Sequence, residues 1–351
     1  MASRMPIALS VLTGFLGAGK TTLLNRLLKD PSLAGTAVIV NEFGEISLDH
    51  LLVERASDGI IELGDGCLCC TVRGALVDTL SAVAERGGTL RRVIVETTGL
   101  ADPLPVLQAI MAHPALSHLY RIESVVTVVD AVNGAATLTA HEEARRQVAV
   151  ADRLVLTKSD LADAGARQDL VRALRALNGE APLLDAQAPE TVSAALLAAT
   201  GRDRGTDPAS GHDEDGHEHH HLHDHAHETA FQTVSLRHDR PLPRATVENF
   251  LDLLATQQGD RILRIKGLVE TVEDPAHPMV IQGAQRLLHR PEFLESWPDG
   301  DRGTRIVVIG HALDTTYVER IFAAFAGQAA VDTPDRAALE QNPLSVPGAR
   351  F

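Results

Sequence analysis

The sequence predicts an α/β protein: a doubly wound, mostly parallel sheet built around a phosphate-binding loop (P-loop), followed by a smaller α+β unit. Three observations carry this expectation. Short β-branched runs, apolar on both faces, alternate with helical segments from Ile7 to about residue 200, the pattern of buried parallel strands. A glycine-rich loop joins the first such run to the first helical segment. Beyond a polar, histidine-rich stretch the alternation gives way to a strand-and-helix pattern of another kind.

In chain order, the expected strands are IALSVLT (7–13), TAVIVN (36–41), RRVIVET (91–97), SVVTVVD (124–130) and DRLVLTK (152–158). Helical periodicity falls at 21–29, 74–85, 103–111 and 167–177. The expected P-loop domain spans 1–200. Residues 201–228 are polar and carry almost no large apolar group, so a disordered His-rich linker is expected there. In the C-terminal α+β domain, 229–329, strands are expected at 231–238, 261–272, 277–289 and 304–310, and helices at 244–257 and 315–325. A loose tail, 330–351, closes the chain. No internal repeat is visible.

Composition bounds the function. The chain has 351 residues, 44% hydrophobic and 23% charged, which is globular. Aromatics are only 3%, so the cores must be largely aliphatic. A net charge of −15 argues against general nucleic-acid binding or anionic membranes as partners. No apolar run reaches membrane-spanning length, and the N-terminal apolar stretch runs straight into the glycine-rich loop, which suits a first strand. A cytoplasmic setting is the default expectation.

GFLGAGKT, Gly14 to Thr21, fits G-x-x-x-x-G-K-[ST] between an expected strand and helix. Its backbone N–H groups, from Gly14, Gly17, Ala18 and Gly19 through Thr21 and Thr22, would converge on phosphate oxygens at a helix N-terminus. Lys20 reaches the β- and γ-phosphates, and the Thr21 hydroxyl ligates Mg²⁺. Glu96 ends an apolar strand, where it faces solvent, holds Mg²⁺ through water, or positions the attacking water. Thr157, Lys158 and Asp160 end another: Asp160 can accept the hydrogen bonds only guanine offers, and the Lys158 stem can cover the base. Alternatively Ser159 or Asp160 simply caps a helix. Behind a P-loop the base-recognition reading prevails, making GTP the expected nucleotide.

All three cysteines, Cys67, Cys69 and Cys70, stand within GDGCLCC. An odd number of clustered thiols is no disulfide framework, and adjacent cysteines close almost no loop. Thiolates suit a soft or borderline metal. Structural zinc sites need four ligands, usually from two knuckles, so CLCC yields an open site, which a metal carrier needs. Three small buried hydrophobes would be the bland alternative, but the flanking Gly64, Asp65 and Gly66 do not suit a buried strand. Eight histidines, His212, His217, His219, His220, His221, His223, His225 and His227, are interleaved with carboxylates and suit weak, exchangeable metal collection. His113, His118, His289 and His311 are expected to be ordinary surface or core histidines. Arg264 and Lys266 are expected on a solvated strand face.

GFLGAGKTT, NEFGE (residues 41–45), GCLCC (66–70), ETTG (96–99) and TKSD, in that order, resemble the CobW family of metallochaperone-type GTPases, relatives of the HypB and UreG nickel-insertion proteins. The resemblance is strong over the first ~160 residues, and RILRIKGLV and RIVVIGHALD look like the family's C-terminal domain. It implies GTP hydrolysis with Mg²⁺, Glu96 on the magnesium side, and zinc or cobalt cargo at Cys67, Cys69 and Cys70. Two positions depart from the common pattern. Thr157 stands where many GTPases carry asparagine, and Val40 where some relatives carry a glutamate before NEFGE. The latter leaves Glu42 or Glu45 as candidate carboxylate ligands. The reading is a Mg²⁺-dependent GTPase that delivers zinc to a client metalloprotein, with a homodimer as an allowed assembly. Its rivals are a metal sensor or buffer with a regulatory nucleotide switch, and a small-molecule kinase, which TKSD disfavours.

Overall fold

The computed structural model describes residues 6–40, 60–62, 71–85, 90–198, 231–298 and 300–327. Seven strands form the first sheet: β1 (Ile7–Gly14), β2 (Thr36–Val40), β3 (Ile60–Glu62), β4 (Arg92–Glu96), β5 (Tyr120–Asp130), β6 (Arg153–Thr157) and β7 (Leu183–Asp185). Their order is β3-β2-β4-β1-β5-β6-β7, and each neighbouring pair is parallel. Every residue of β1, β2 and β6 is buried, which is why these runs read as continuously apolar.

The two faces still alternate residue by residue. Leu9, Val11, Val93 and Val95 pack into one core with the helices α2 (Thr71–Glu85), α3 (Leu104–Ala112), α4 (Pro114–Leu119), α5 (Gly134–Ala140), α6 (Glu142–Ala149) and α7 (Ala164–Leu177). Leu12, Ile94, Val126 and Val128 pack on the other side, against α1 (Lys20–Leu27) and the turn carrying Leu196 and Leu197. α7 starts where Asp163 accepts from the amides of Gly165 and Ala166 at 2.8 and 3.2 Å, an N-cap. It ends at Asn178, whose side-chain amide donates to the carbonyls of Val148, Ala149 and Ala151.

The second sheet is antiparallel, with path β11-β10-β9-β13-β8 and β12 paired to β10. Its strands are β8 (Phe231–His238), β9 (Ile262–Val269), β10 (Met279–Ala284), β11 (Leu287–Leu288), β12 (Glu292–Phe293) and β13 (Thr304–His311). α8 (Arg244–Gln258) and α9 (Thr315–Phe325) cover one face, closing a core around Phe250, Ile265, Ile306 and Phe322. The single strand expected at 277–289 is a hairpin instead: Gln285 turns the chain with φ of 55°, and Leu287–Leu288 folds back on Gly283–Ala284.

The other face of this sheet meets the first domain, and there Arg264 and Lys266 correct the expectation of a solvated face. Arg264 is only 3% exposed. Its Nη2 donates to Asp152 Oδ2 at 2.7 Å, and Lys266 Nζ donates to Asp152 Oδ1 at 2.9 Å. Asp152 also accepts from the Val125 amide at 2.7 Å. Leu263, Ala284 and Ile309 extend the first domain's core across the junction. Gln108 and Gln282 donate across it to Gln285 Oε1 and the Ile122 carbonyl. Among the described residues, no helix is long and apolar enough to cross a membrane.

Candidate functional site

Parallel pairing brings the carboxyl ends of β1, β4, β5 and β6 to one edge, where ligands of doubly wound sheets bind. Register fixes the neighbours: Leu12 lies beside Glu96, Gly14 beside Val128, and Asp130 beside Thr157. The P-loop leaves β1 at Gly14, which has φ of 141°. A Cβ at that position would stand 2.3 Å from the Val128 carbonyl oxygen. Glycine alone meets both conditions.

The predicted phosphate and magnesium groups converge. Lys20 is buried, with Nζ 2.9 Å from the Gly14 carbonyl and 3.3 Å from that of Phe15, so its ammonium lies within the arc of the loop. The Thr21 hydroxyl donates to Glu96 Oε1 at 3.0 Å, and Glu96 is 3% exposed. This removes the solvent-facing reading of Glu96. A hydroxyl and a carboxylate meeting at a P-loop are hard oxygen donors of the kind Mg²⁺ takes, with water and phosphate completing its shell. Thr22 is exposed at the start of α1.

The turn after Glu96 is locked to the loop. A Cβ on Gly99 would stand 2.5 Å from the Leu16 amide nitrogen, so this close approach needs glycine. Buried Gln147 donates to the carbonyls of Gly99 and Ala101 at 3.1 and 3.0 Å. Thr97 donates to Thr13 Oγ1 at 2.7 Å.

Thr157, expected among the nucleotide-binding groups, serves the loop's backbone. Its hydroxyl lies 2.6 Å from the Ala18 carbonyl and 3.3 Å from that of Val129. Lys158 holds φ of 55° and donates to the Gly17 carbonyl at 2.9 Å and to Asp130 Oδ2 at 2.7 Å. Asp160 is exposed and accepts from Gln187 Nε2 at 2.7 Å, which joins the loops after β6 and β7. Ser159 donates to Asp185 at 2.6 Å. The helix that follows is capped by Asp163, so capping does not account for Ser159 and Asp160.

Sequence reasoning missed Asp130, Gln147, Asp185 and Gln187. Asp130 carried the same signal as Glu96, a carboxylate ending an apolar strand. Burial pushes its acid up, but Lys158, Asn133 and the amides of Val132 and Asn133 together hold it below the ordinary carboxylate range. Asp130, Asn133, Lys158 and Gln147 line a cavity of about 240 Å³ against Phe15, Leu16 and Gly17.

The Thr157 contact yields a prediction. Thr157→Val leaves the buried Ala18 carbonyl without this donor, a loss of ~1–3 kcal/mol, and should weaken GTP-analogue binding by roughly tenfold or more. Thr157→Asn, which keeps a donor, should bind close to the unmodified chain. Titration of a fluorescent GTP analogue checks this, and unchanged affinity in Thr157→Val would show that the clamp does not order the loop.

The candidate metal residues Cys67, Cys69, Cys70, Glu42 and Glu45, and the histidines of 212–227, lie outside the described residues. The isolated histidines act locally. His113 Nδ1 accepts from the Leu116 amide at 3.4 Å, His118 lies 3.3 Å from Arg290, His289 is buried beside the Arg290 carbonyl, and His311 stands edge-on to Phe231.

Comparison with known proteins matches two stretches of the chain. The family model described as "CobW/HypB/UreG, nucleotide-binding domain" matches 8–185, and "Cobalamin synthesis protein cobW C-terminal domain" matches 231–326. The chain is 33% identical to a protein of Escherichia coli named zinc chaperone YjiA over 326 residues, covering 92% of this chain and 98% of that one. It is 34% identical over 352 residues to a protein of Pseudomonas aeruginosa named zinc chaperone CobW, covering 89% of each. The crystal structure of Zn(II)-bound YjiA GTPase from E. coli aligns with a TM-score of 0.62 at 27% identity, over 92% of this chain and 99% of that one.

Proposed function

This chain belongs to the CobW/HypB/UreG family, and from that premise we propose that it is a Mg²⁺-dependent GTPase. It carries zinc at Cys67, Cys69 and Cys70 to a client metalloprotein. The observation that supports the reading most is the Lys20, Thr21 and Glu96 constellation on the P-loop edge. Relatives named zinc chaperones add to it.

The residues divide the work. Backbone N–H groups of the P-loop and the N-terminus of α1 bind the phosphates. The Lys20 ammonium stabilises charge as it develops on the β- and γ-oxygens. Thr21 and Glu96 would hold magnesium, directly or through water, and the bound ion would supply further neutralisation of phosphate charge. Water attacks the γ-phosphorus in line, the bond to the β–γ bridging oxygen breaks, and GDP and phosphate leave. Glu96, held by Thr21, orients groups at this point. Asp160 accepts from guanine, and the Lys158 stem, anchored by Asp130, lies under the base.

Chain connectivity supports the metal part. Val40, the last residue of β2, is in register with Glu96 and with Glu62 of β3, and Glu42 follows two residues later. Cys70 is bonded to Thr71, where α2 begins. The thiols thus follow within a few residues the end of β3, which is separated from Glu96 by the single strand β2. Zinc is cargo here, and its open ligand set lets it leave by exchange. Four of the seven exposed large hydrophobics among the described residues, Leu16, Leu100, Val132 and Leu161, follow the carboxyl ends of β1, β4, β5 and β6. They make this edge the surface on which a second copy or the client would dock.

Zinc and nucleotide affinities should therefore be coupled, by ~1–3 kcal/mol or roughly 5–150-fold, with zinc held tighter in the GTP state. Competition with a chelator in GDP and in a non-hydrolysable GTP analogue measures this, repeated with the three cysteines changed to serine. Equal affinity in both nucleotide states defeats delivery by hydrolysis. Undiminished binding in the triple-serine variant moves the site elsewhere, first to the histidines of 212–227.

A further inference from the structure

The turn after Glu96 carries a run of backbone donors without acceptors. The amides of Thr98, Gly99, Leu100 and Asp102 donate to no group among the described residues. Those of Thr97 and Ala101 reach the carbonyls of Leu12 and Thr98 at 2.9 and 3.1 Å. Thr98 and Gly99 are buried, and buried amides are nearly always paired. The run lies against the P-loop at Leu16 and directly follows the carboxylate that meets Thr21. Successive free N–H groups in a turn suit an anion.

What aims these donors is the carbonyl at the other end of each peptide bond. Gln147 is 1% exposed, and its side-chain amide donates to the carbonyls of Gly99 and Ala101 at 3.1 and 3.0 Å. Every peptide bond among the described residues is trans, and across a planar trans bond the N–H points opposite to the C=O. The amides sharing those two peptide planes belong to Leu100 and Asp102. Both are therefore turned away from α6. One side chain sets two of the free donors.

Gln147 can do this because α6 is itself held. Thr127 of β5 donates to the Gln147 carbonyl at 2.7 Å, and Asn178 donates to the carbonyls of Val148 and Ala149. At the N-terminal end of α6, His141 lies over Phe15 of the P-loop, with ring centroids 4.4 Å apart. Arg146, next to Gln147, pairs with Asp102 at 3.4 Å. Asp102 in turn accepts from the Leu104 amide at the start of α3. α6 thus ties the P-loop and the turn after Glu96 into one body.

We infer that Gln147 is a positioning residue for GTP hydrolysis. By holding the carbonyls of Gly99 and Ala101 it presents the opposite amides of the turn to the γ-phosphate, and so separates GTP from GDP, which lacks that group. Gln147 acts through the turn and needs no contact with the nucleotide. The inference rests on the P-loop reading above, in which the γ-phosphate arrives where Lys20, Thr21 and Glu96 converge.

Gln147→Leu keeps the bulk of the side chain and removes both donors. Its kcat for GTP should fall roughly 10–100-fold, the scale of misplacing a group in a preorganised site. Its affinity for a non-hydrolysable GTP analogue should fall at least about fivefold, while that for GDP stays within about twofold. Val148→Ala, one position along α6 and 2% exposed, supplies the measure of a purely structural defect. It should lower the melting temperature by opening a gap in the core, yet keep kcat and the ratio of the two affinities. In the unmodified chain, amide exchange over residues 97–103 should be slower with the analogue than with GDP. Unchanged kcat in Gln147→Leu overturns the inference, as does an equal loss of affinity for analogue and GDP, or the same losses in Val148→Ala. Equal exchange of the turn in the two nucleotide states overturns it too, and that outcome counts even if Gln147→Leu fails to fold. An unmodified chain that does not turn over GTP would instead defeat the P-loop reading, and this inference with it.

Discussion

Lys20→Ala is expected to lower GTP turnover by at least roughly two to three orders of magnitude, the usual cost of removing a charge-stabilising donor from a preorganised site. The reason is positional. Lys20 Nζ lies within hydrogen-bonding distance of the carbonyls of Gly14 and Phe15, so the P-loop backbone holds the ammonium where transferring phosphates arrive. Little in the site can replace it. Lys158 is committed to Gly17 and Asp130. The fold should survive, because the truncation removes side-chain hydrogen bonds at the loop, those to Gly14 and Phe15 among them, at ~1 kcal/mol each and no core side chain. Lys20→Arg separates charge from geometry: the planar guanidinium keeps the charge but not the compact ammonium, and should also be slow. Steady-state phosphate release and thermal melting check the pair. Turnover near that of the unmodified chain in Lys20→Ala would overturn the P-loop assignment.

The nucleotide edge was legible because its signals are local. A strand, a glycine loop and a helix are consecutive in sequence, and only one backbone path joins them. β3 and β7 are three residues each, too short to show a period, and both sit at the sheet's edges. α4 and α5 were missed for a related reason: at six and seven residues they bury little beyond Leu116 and Leu138. α6 is strongly polar on its outer face, and of its side chains Gln147 works for the P-loop turn, not the core.

What the sequence could not display is what stands opposite a residue. The alternation in RILRIKGLV puts Arg264 and Lys266 on one face, and that much was right. Whether the face meets water depends on Asp152, more than a hundred positions earlier. Thr157 shows the same limit at the site. Its place in TKSD marked it as a nucleotide group, yet its hydroxyl closes on the Ala18 carbonyl. Motif spacing gave the neighbourhood, and only the fold gave the partner.

Asp152→Asn should destabilise the protein by roughly 3–5 kcal/mol, because it strands two buried or partly buried cations without their counter-charge. In a chain of this length that corresponds to a melting-temperature loss of roughly 4–7 °C. Burial pushes the Asp152 acid up, but Arg264, Lys266 and the Val125 amide outweigh it and hold the carboxyl below its ordinary value of 3.8. A depressed carboxylate stabilises the fold in full above its unfolded value, and that stability is lost as pH falls through the folded value. The unmodified chain should therefore lose stability as pH drops below 3.8, and Asp152→Asn should show less of that loss. The loss should be partly repairable. Since a buried ion cluster is often no more stable than apolar groups of similar volume, Asp152→Leu combined with Arg264→Met and Lys266→Met should regain part of it, less the ~1–3 kcal/mol of the Val125 amide left without its acceptor. Chemical denaturation across pH measures all three. If Asp152→Asn melts within a degree or so of the unmodified chain, the triad does not hold the domains together, and the junction rests on contacts such as Leu263, Ala284 and Ile309 and the hydrogen bonds of Gln108 and Gln282.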